Sequence, residues 1–284
     1  MKPLAGHAHP DLLVGLTTSD DAAVFQIGDR AMIQTVDFFA PVVDDPYTYG
    51  AIAAANSVSD VYAMGGEVLL ALNVAAFPED LPQDVVSEIV RGGAEKIAEA
   101  GGVVVGGHTV IDREPKFGFA VTGFAKPEEI TTKAALEVGD VLVLTKRLGT
   151  GAITTALKGD RVAPEHLSAA VESMLTLNRA AARLLKGAAV TAVTDVTGFG
   201  LLGHASEMAT ASGVRIRIES AAVPLLPGAR EYAEAGVLPG GVGRNRAWLL
   251  GSDEDADVRV EIGESVSPVL ADLLMDPETS GGLL

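Results

Sequence analysis

Hydrophobic positions along the chain follow two periods. Residues 12–15 form a short apolar run, and residues 32–37 alternate apolar with polar, the pattern of a half-buried strand that here ends in an acid. Residues 69–77 are apolar and strand-like. Residues 82–100 show helical spacing, with Val85, Val86, Ile89, Val90 and Ile97 read as inward and Gly101-Gly102 as the stop. Short strands are read at 103–105 and 117–123. After a charged connector at 126–129 a second series begins, with a strand at 141–145 and a helix opened by the Lys146–Gly151 turn. One or two amphipathic helices follow at 164–186, then a strand at 189–194 ending in Asp195, and a helix to about Ala211 stopped by Gly213. Residues 214–218 alternate as a strand, 239–246 read as a Gly-rich loop, and Leu283-Leu284 as the start of a buried strand. Strands interleaved with helices predict an α/β (α+β) fold in two domains, 1–127 and 128–284.

One helix breaks the amphipathic rule. The stretch 50–66, GAIAAANSVSDVYAMGG, is rich in small residues, predicts a helix over 51–63, and carries a single formal charge at Asp60. Asn56 and Asp60 stand four residues apart and share a face. Two readings are open at this point: a solvated acid on a surface helix, or a carboxylate turned inward to meet a cation or a hydrogen-bond network. Other acids sit in related settings. Asp21 adjoins Thr18, Ser19 and Asp20 before an apolar run, while Asp37 and Asp195 end predicted strands. Such strand ends commonly gather ligand-binding groups in α/β sheets. Gly106-Gly107-His108-Thr109 could bring backbone N–H groups to a phosphate, with His108 near a ligand or simply packed. The basic turn at 146–151 can receive an anion, but no Gly-Lys-Ser/Thr closes it as in a Walker A loop.

Composition narrows the chemistry. The 284 residues contain no cysteine, which removes disulfides, thiolate metal sites and a cysteine nucleophile within them. A net charge of −17 argues against a nucleic-acid or anionic-membrane surface. Hydrophobic content is 48% and mean hydropathy +0.30, yet no uncharged apolar run reaches the length of a membrane span. No signal-peptide core follows Met1-Lys2-Pro3, so a cytoplasmic protein is expected. Recurrent carboxylates without a His or Cys set imply a hard, oxygen-loving metal, Mg²⁺ before Zn²⁺, and suit an enzyme acting on a magnesium nucleotide.

The ordered motifs carry a resemblance. LLVGLTTSDDAAV at 12–24, TVDFFAPVVDDP at 35–46, AAANSVSDVYAMGG at 53–66, GGHT at 106–109, TDVTGFGLLGHASEM at 194–208, LPGGVGRN at 238–245 and DPETSGG at 276–282 resemble the selenophosphate synthetases (selenide, water dikinases). That family belongs to the aminoimidazole ribonucleotide synthetase superfamily. The resemblance implies synthesis of selenophosphate, AMP and phosphate from ATP, selenide and water. It also implies a homodimer paired through N-terminal sheets. By motif, Asp21, Asp60 and Asp195 resemble magnesium ligands. Thr18, Ser19, Asp20, Asp37, Asp60, Gly107, His108 and Thr109 resemble ATP-site residues, and Asn56 is placed to orient Asp60. The family carries a Gly-rich segment with a Cys or selenocysteine and an essential Lys upstream of the LLVG stretch, and further strands after TSGG. Lys2 matches no such motif, so no residue here is assigned that role. The expectation is an ATP–magnesium scaffold that makes no detectable selenophosphate by itself. The alternatives are another enzyme of the superfamily, such as thiamine-monophosphate kinase, or a non-catalytic ATP–Mg-binding module.

Overall fold

The structure is a computed structural model that describes residues 9–18, 20–188, 190–251 and 260–284. Ser19 lies outside the described residues. The chain divides into two compact units, Met1–Thr132 with Leu175–Val193, and Lys133–Met174 with Thr194–Leu284.

The first unit is built on six strands, β1 (Leu12–Val14), β2 (Ala23–Ile27), β3 (Arg30–Phe39), β4 (Glu67–Phe77), β5 (Val103–Ile111) and β6 (Lys116–Ala125). They lie in the order β1-β2-β3-β6-β4-β5, antiparallel except for the β4–β5 pair. That parallel pair needs a crossover, and α3 (Gln83–Glu99) supplies it. Along β3 the odd residues from Ala31 to Phe39 face the helices, whereas Gln34, Val36 and Phe38 face outward.

The small-residue stretch folds as two helices, α1 (Pro46–Ser57) and α2 (Ser59–Ala63), instead of one, with Val58 at the junction. Pro46 occupies the first position of α1, and Asp45 caps it by accepting from the Thr48 N–H at 2.8 Å. The small residues have a packing cause. A Cβ on Gly50 would sit 1.9 Å from the Ile89 carbonyl oxygen, and one on Gly92 would sit 2.0 Å from that of Tyr47. Thus α1 and α3 touch backbone to backbone. Gly92→Ala is therefore expected to cost about 1–3 kcal/mol or more of stability, measured by urea unfolding. An unchanged midpoint would show that the two helices separate freely. The buried face of α3 is Ile89, Gly92, Gly93 and Ile97. Val90, expected inside, is 37% exposed, because two glycines rather than β-branched residues meet the Phe117 and Phe119 rings and the facing helix.

In the second unit the helices are α4 (Thr150–Lys158), α5 (Pro164–Leu175, its last residue in the first unit), α7 (Gly200–Ser212), α8 (Ala229–Glu234), α9 (Gly240–Leu250) and α10 (Pro268–Leu274); α6 (Arg179–Leu185) belongs to the first unit. Gly213 ends α7 in the left-handed conformation, as expected. The strands expected at 141–145, 189–194 and 214–218 are not formed. Ala189 lies outside the described residues, and among those described this region holds two isolated bridges, Leu148 with Leu225 and Asp195 with Leu283. Alternation fixes which face of an extended segment is apolar. It supplies no neighbour, and Val141 and Val143 stay 85% and 66% exposed. Leu283 and Leu284 are buried, as expected, and Leu284 exchanges backbone bonds with Thr194.

Residues 106–109, beyond the short strand expected at 103–105, continue β5. One local expectation also changes. Residues 240–246 start α9: Gly241 lies against the Pro277 ring, and Asn245 Nδ2 donates to the Gly198 and Met275 carbonyls at 3.0 Å each.

Candidate functional site

The first unit gathers its polar groups where β3 leaves the sheet beneath α1 and α2. Asp60, in the first turn of α2, is 9% exposed and accepts from Thr35 Oγ1 at 2.5 Å through Oδ2. Asn56 is buried on α1 and donates from Nδ2 to Asp37 Oδ2 at 2.8 Å, while Ser57 Oγ donates to the Asp37 carbonyl at 3.0 Å. Asp60 is therefore turned inward, against the solvated-helix reading. Asn56 thus ties α1 to Asp37 at the end of β3. Asp20 and Asp21 lie immediately before β2, at the end that pairs with Gln34 of β3, and Asp20 Oδ1 accepts from the Asp21 N–H at 3.1 Å. Thr18 is exposed, and its hydroxyl donates to the Gly15 carbonyl.

The 106–109 stretch is elsewhere in this unit. Ladder register puts Asp37, Phe119, Asn73 and Gly107 in one row, three strand spacings from end to end, roughly 14 Å. His108 belongs to the next row with Phe38, on the opposite face.

In the second unit Asp195 is 1% exposed, and its Oδ2 is buried with no hydrogen-bond partner among the described residues. A buried carboxylate oxygen in that position needs a hydrogen-bond donor or a cation. Among the described residues, no three His, Asp or Glu side chains form a metal-binding group by themselves.

The expected anion turn at 146–151 is filled by a side chain of the protein itself, Glu278. Its carboxylate accepts from the Gly149 N–H at 2.6 Å, the Thr150 N–H at 3.0 Å and Thr150 Oγ1 at 2.6 Å, at the N-terminus of α4. Asp276 Oδ2 accepts from the Ala152 N–H at 2.9 Å. Sequence reading missed this buried acid pair, although DPETSGG contains both carboxylates. Burial, with the neighbouring Glu278 charge, raises the Asp276 carboxyl well above its usual value, and burial raises Glu278 as well. The folded state thus keeps protons that the unfolded chain releases above the ordinary carboxylate range, about pH 4. Stability from this pair is present at low pH and is lost as pH rises through the raised values. Asp276→Asn is expected to flatten that fall as pH rises above the ordinary carboxylate range, read as melting temperature against pH. Parallel curves for the two proteins would contradict it.

Family models match both parts of the chain: the N-terminal domain of AIR synthase related proteins over residues 19–125, and the C-terminal domain of the same proteins over 137–236. A selenide, water dikinase of Caldanaerobacter subterraneus subsp. tengcongensis is 51% identical over 275 residues, 96% of this chain and 77% of that protein. The chain belongs to the selenide, water dikinase family. A second member, from Clostridioides difficile, is 47% identical over the same shares of both chains. Among solved structures, thiamine monophosphate kinase from Aquifex aeolicus superposes with a TM-score of 0.69 over 98% of this chain and 83% of its own, at 20% identity. That likeness establishes the shared fold alone. It agrees with the expected superfamily and gives no ground for a thiamine kinase.

Proposed function

We propose that this phosphotransferase binds ATP through Mg²⁺ in the cytoplasm and serves selenophosphate synthesis, in which ATP, selenide and water give selenophosphate, AMP and phosphate. The observation that carries this reading is 51% identity to a selenide, water dikinase over 96% of the chain. Asp21, Asp60 and Asp195 are the proposed magnesium ligands. Asp60 and Asp195 are buried acids, and the Asp195 oxygen without a hydrogen bond fits a hard cation. Thr18, Ser19, Asp20, Asp37, Asp60, Gly107, His108 and Thr109 are the proposed nucleotide contacts.

When bound, magnesium would neutralise charge on the transferring phosphoryl groups. The protein's own part is positional. Thr35 fixes the rotamer of Asp60 through Oδ2, while Asn56 and Ser57 hold Asp37 from its side chain and its backbone. We also propose that the chain is a homodimer joined through the outward face of the first unit's sheet. Val36, Phe38 and Leu72 on that face are 55%, 50% and 43% exposed, an apolar surface that a second copy would cover.

The test follows phosphorus resonances while anaerobic selenide or thiamine monophosphate is added to the 284-residue protein with Mg·ATP. Thiamine monophosphate is expected to stay unphosphorylated, and nucleotide consumed with selenide to appear as AMP. Thiamine diphosphate formed alongside ADP would overturn the reading.

A further inference from the structure

The turn that carries Asp195 is clamped from both sides. The Thr197 carbonyl accepts from the Gly200 and Glu278 N–H groups at 3.0 Å each. The Thr197 N–H donates to Nε2 of His204 on α7 at 3.1 Å. His204 is 4% exposed, with the Phe199 ring packed at 5.6 Å. Because Thr197 offers a backbone donor, Nε2 must be the unprotonated nitrogen of the ring. A neutral imidazole then carries its proton on Nδ1, which lies 3.5 Å from Glu207 Oε2. Glu207 is in turn 3.0 Å from Nζ of Lys133, which is 4% exposed. Burial would raise the Glu207 carboxyl, but His204 and the Lys133 charge hold it below its usual value, so it stays an acceptor. Lys133 pairs with Glu207, the Glu207 carboxylate lies on the Nδ1 side of His204 without a formed hydrogen bond among the described residues, and Nε2 accepts from the Thr197 amide.

We infer that His204 is a positioning residue, its tautomer set by the Thr197 amide, that fixes the 195–198 turn so that the Asp195 carboxylate meets the metal. This inference rests on the reading of Asp195 as a magnesium ligand. A group that orients a ligand without touching the metal typically changes metal affinity by roughly 10- to 100-fold when removed.

Three replacements separate positioning from packing. His204→Gln places an oxygen near Nε2 and can still accept from Thr197. His204→Asn reproduces only the Nδ1 end, and His204→Leu fills space with no acceptor. Amide exchange at Thr197, observed by NMR, reports the clamp, and calorimetric titration with Mg·ATP reports its effect. The Gln variant is expected to keep Thr197 protected and its affinity within about twofold of the parent. The Asn and Leu variants are expected to lose that protection and to bind roughly tenfold more weakly. Asp195→Asn is titrated in parallel. If it binds weakly while all three His204 variants bind like the parent, the positioning role is overturned and the magnesium reading stands. If Asp195→Asn also binds like the parent, both are overturned. Equal losses in the Gln, Asn and Leu variants would assign His204 to packing and overturn the positioning role as well.

Discussion

Asp60→Asn is expected to weaken Mg·ATP binding by roughly 5- to 150-fold, the equivalent of about 1–3 kcal/mol for one lost charge-assisted contact. The substitution is nearly isosteric. An asparagine oxygen can still accept from Thr35 Oγ1, so the α2–β3 contact at 2.5 Å has a substitute and the fold should survive. What disappears is the negative charge, in a site where Asp60 is 9% exposed and water screens little. Titration calorimetry with Mg·ATP measures the loss, and circular dichroism checks that the protein remains folded. An affinity equal to the parent's would leave Asp60 as a buried partner of Thr35 with no part in binding.

The second large effect concerns assembly. Leu72→Asp is expected to convert a dimer into a monomer at micromolar concentration. Ladder register aligns Leu72 with Ala120 and Val36 in one row on the outward face of the sheet, away from α1 and α3. An aspartate there costs little in a free monomer, because Leu72 is already 43% exposed. Covered by a second sheet, the same charge would lose its water without gaining a partner, at about 2 kcal/mol or more, roughly a 30-fold rise in dissociation constant. Light scattering after size exclusion reports the mass directly. A parent protein that is monomeric under the same conditions would contradict the proposed sheet pairing.

How far the sequence could be read depended on whether the deciding force was local. The strands of the first unit and α3 were legible because alternation and helical spacing reflect one buried face, and their ladders confirm it. The 50–66 stretch was legible as helical, while its pattern leaves the acid open between a solvated and an inward position. Its break at Val58 was not legible, and neither was the backbone contact between Gly50 and Ile89, which depends on a helix more than thirty residues away. The strand read at 103–105 was cut short, because its parallel register with β4 continues through Gly106 and Gly107 to Ile111. In the second unit the alternating segments 141–145 and 214–218 looked like strands because periodicity records a face and not a partner. The acid pair at the start of α4 escaped notice for a related reason. Asp276 and Glu278 lie more than 120 residues from the amides that bind them, and nothing in the local pattern marks that pairing.

The central proposal is that this acidic chain binds nucleotide only when magnesium stands between its carboxylates and the triphosphate. A protein with a net charge of −17 and a set of buried carboxylates should repel the triphosphate unless a cation stands between them. The direct measurement is calorimetric titration of ATP into the protein, once with saturating Mg²⁺ and once in EDTA. The account predicts saturable binding with magnesium and no measurable binding in EDTA at the same ATP concentrations; equal affinity in the two titrations would contradict it.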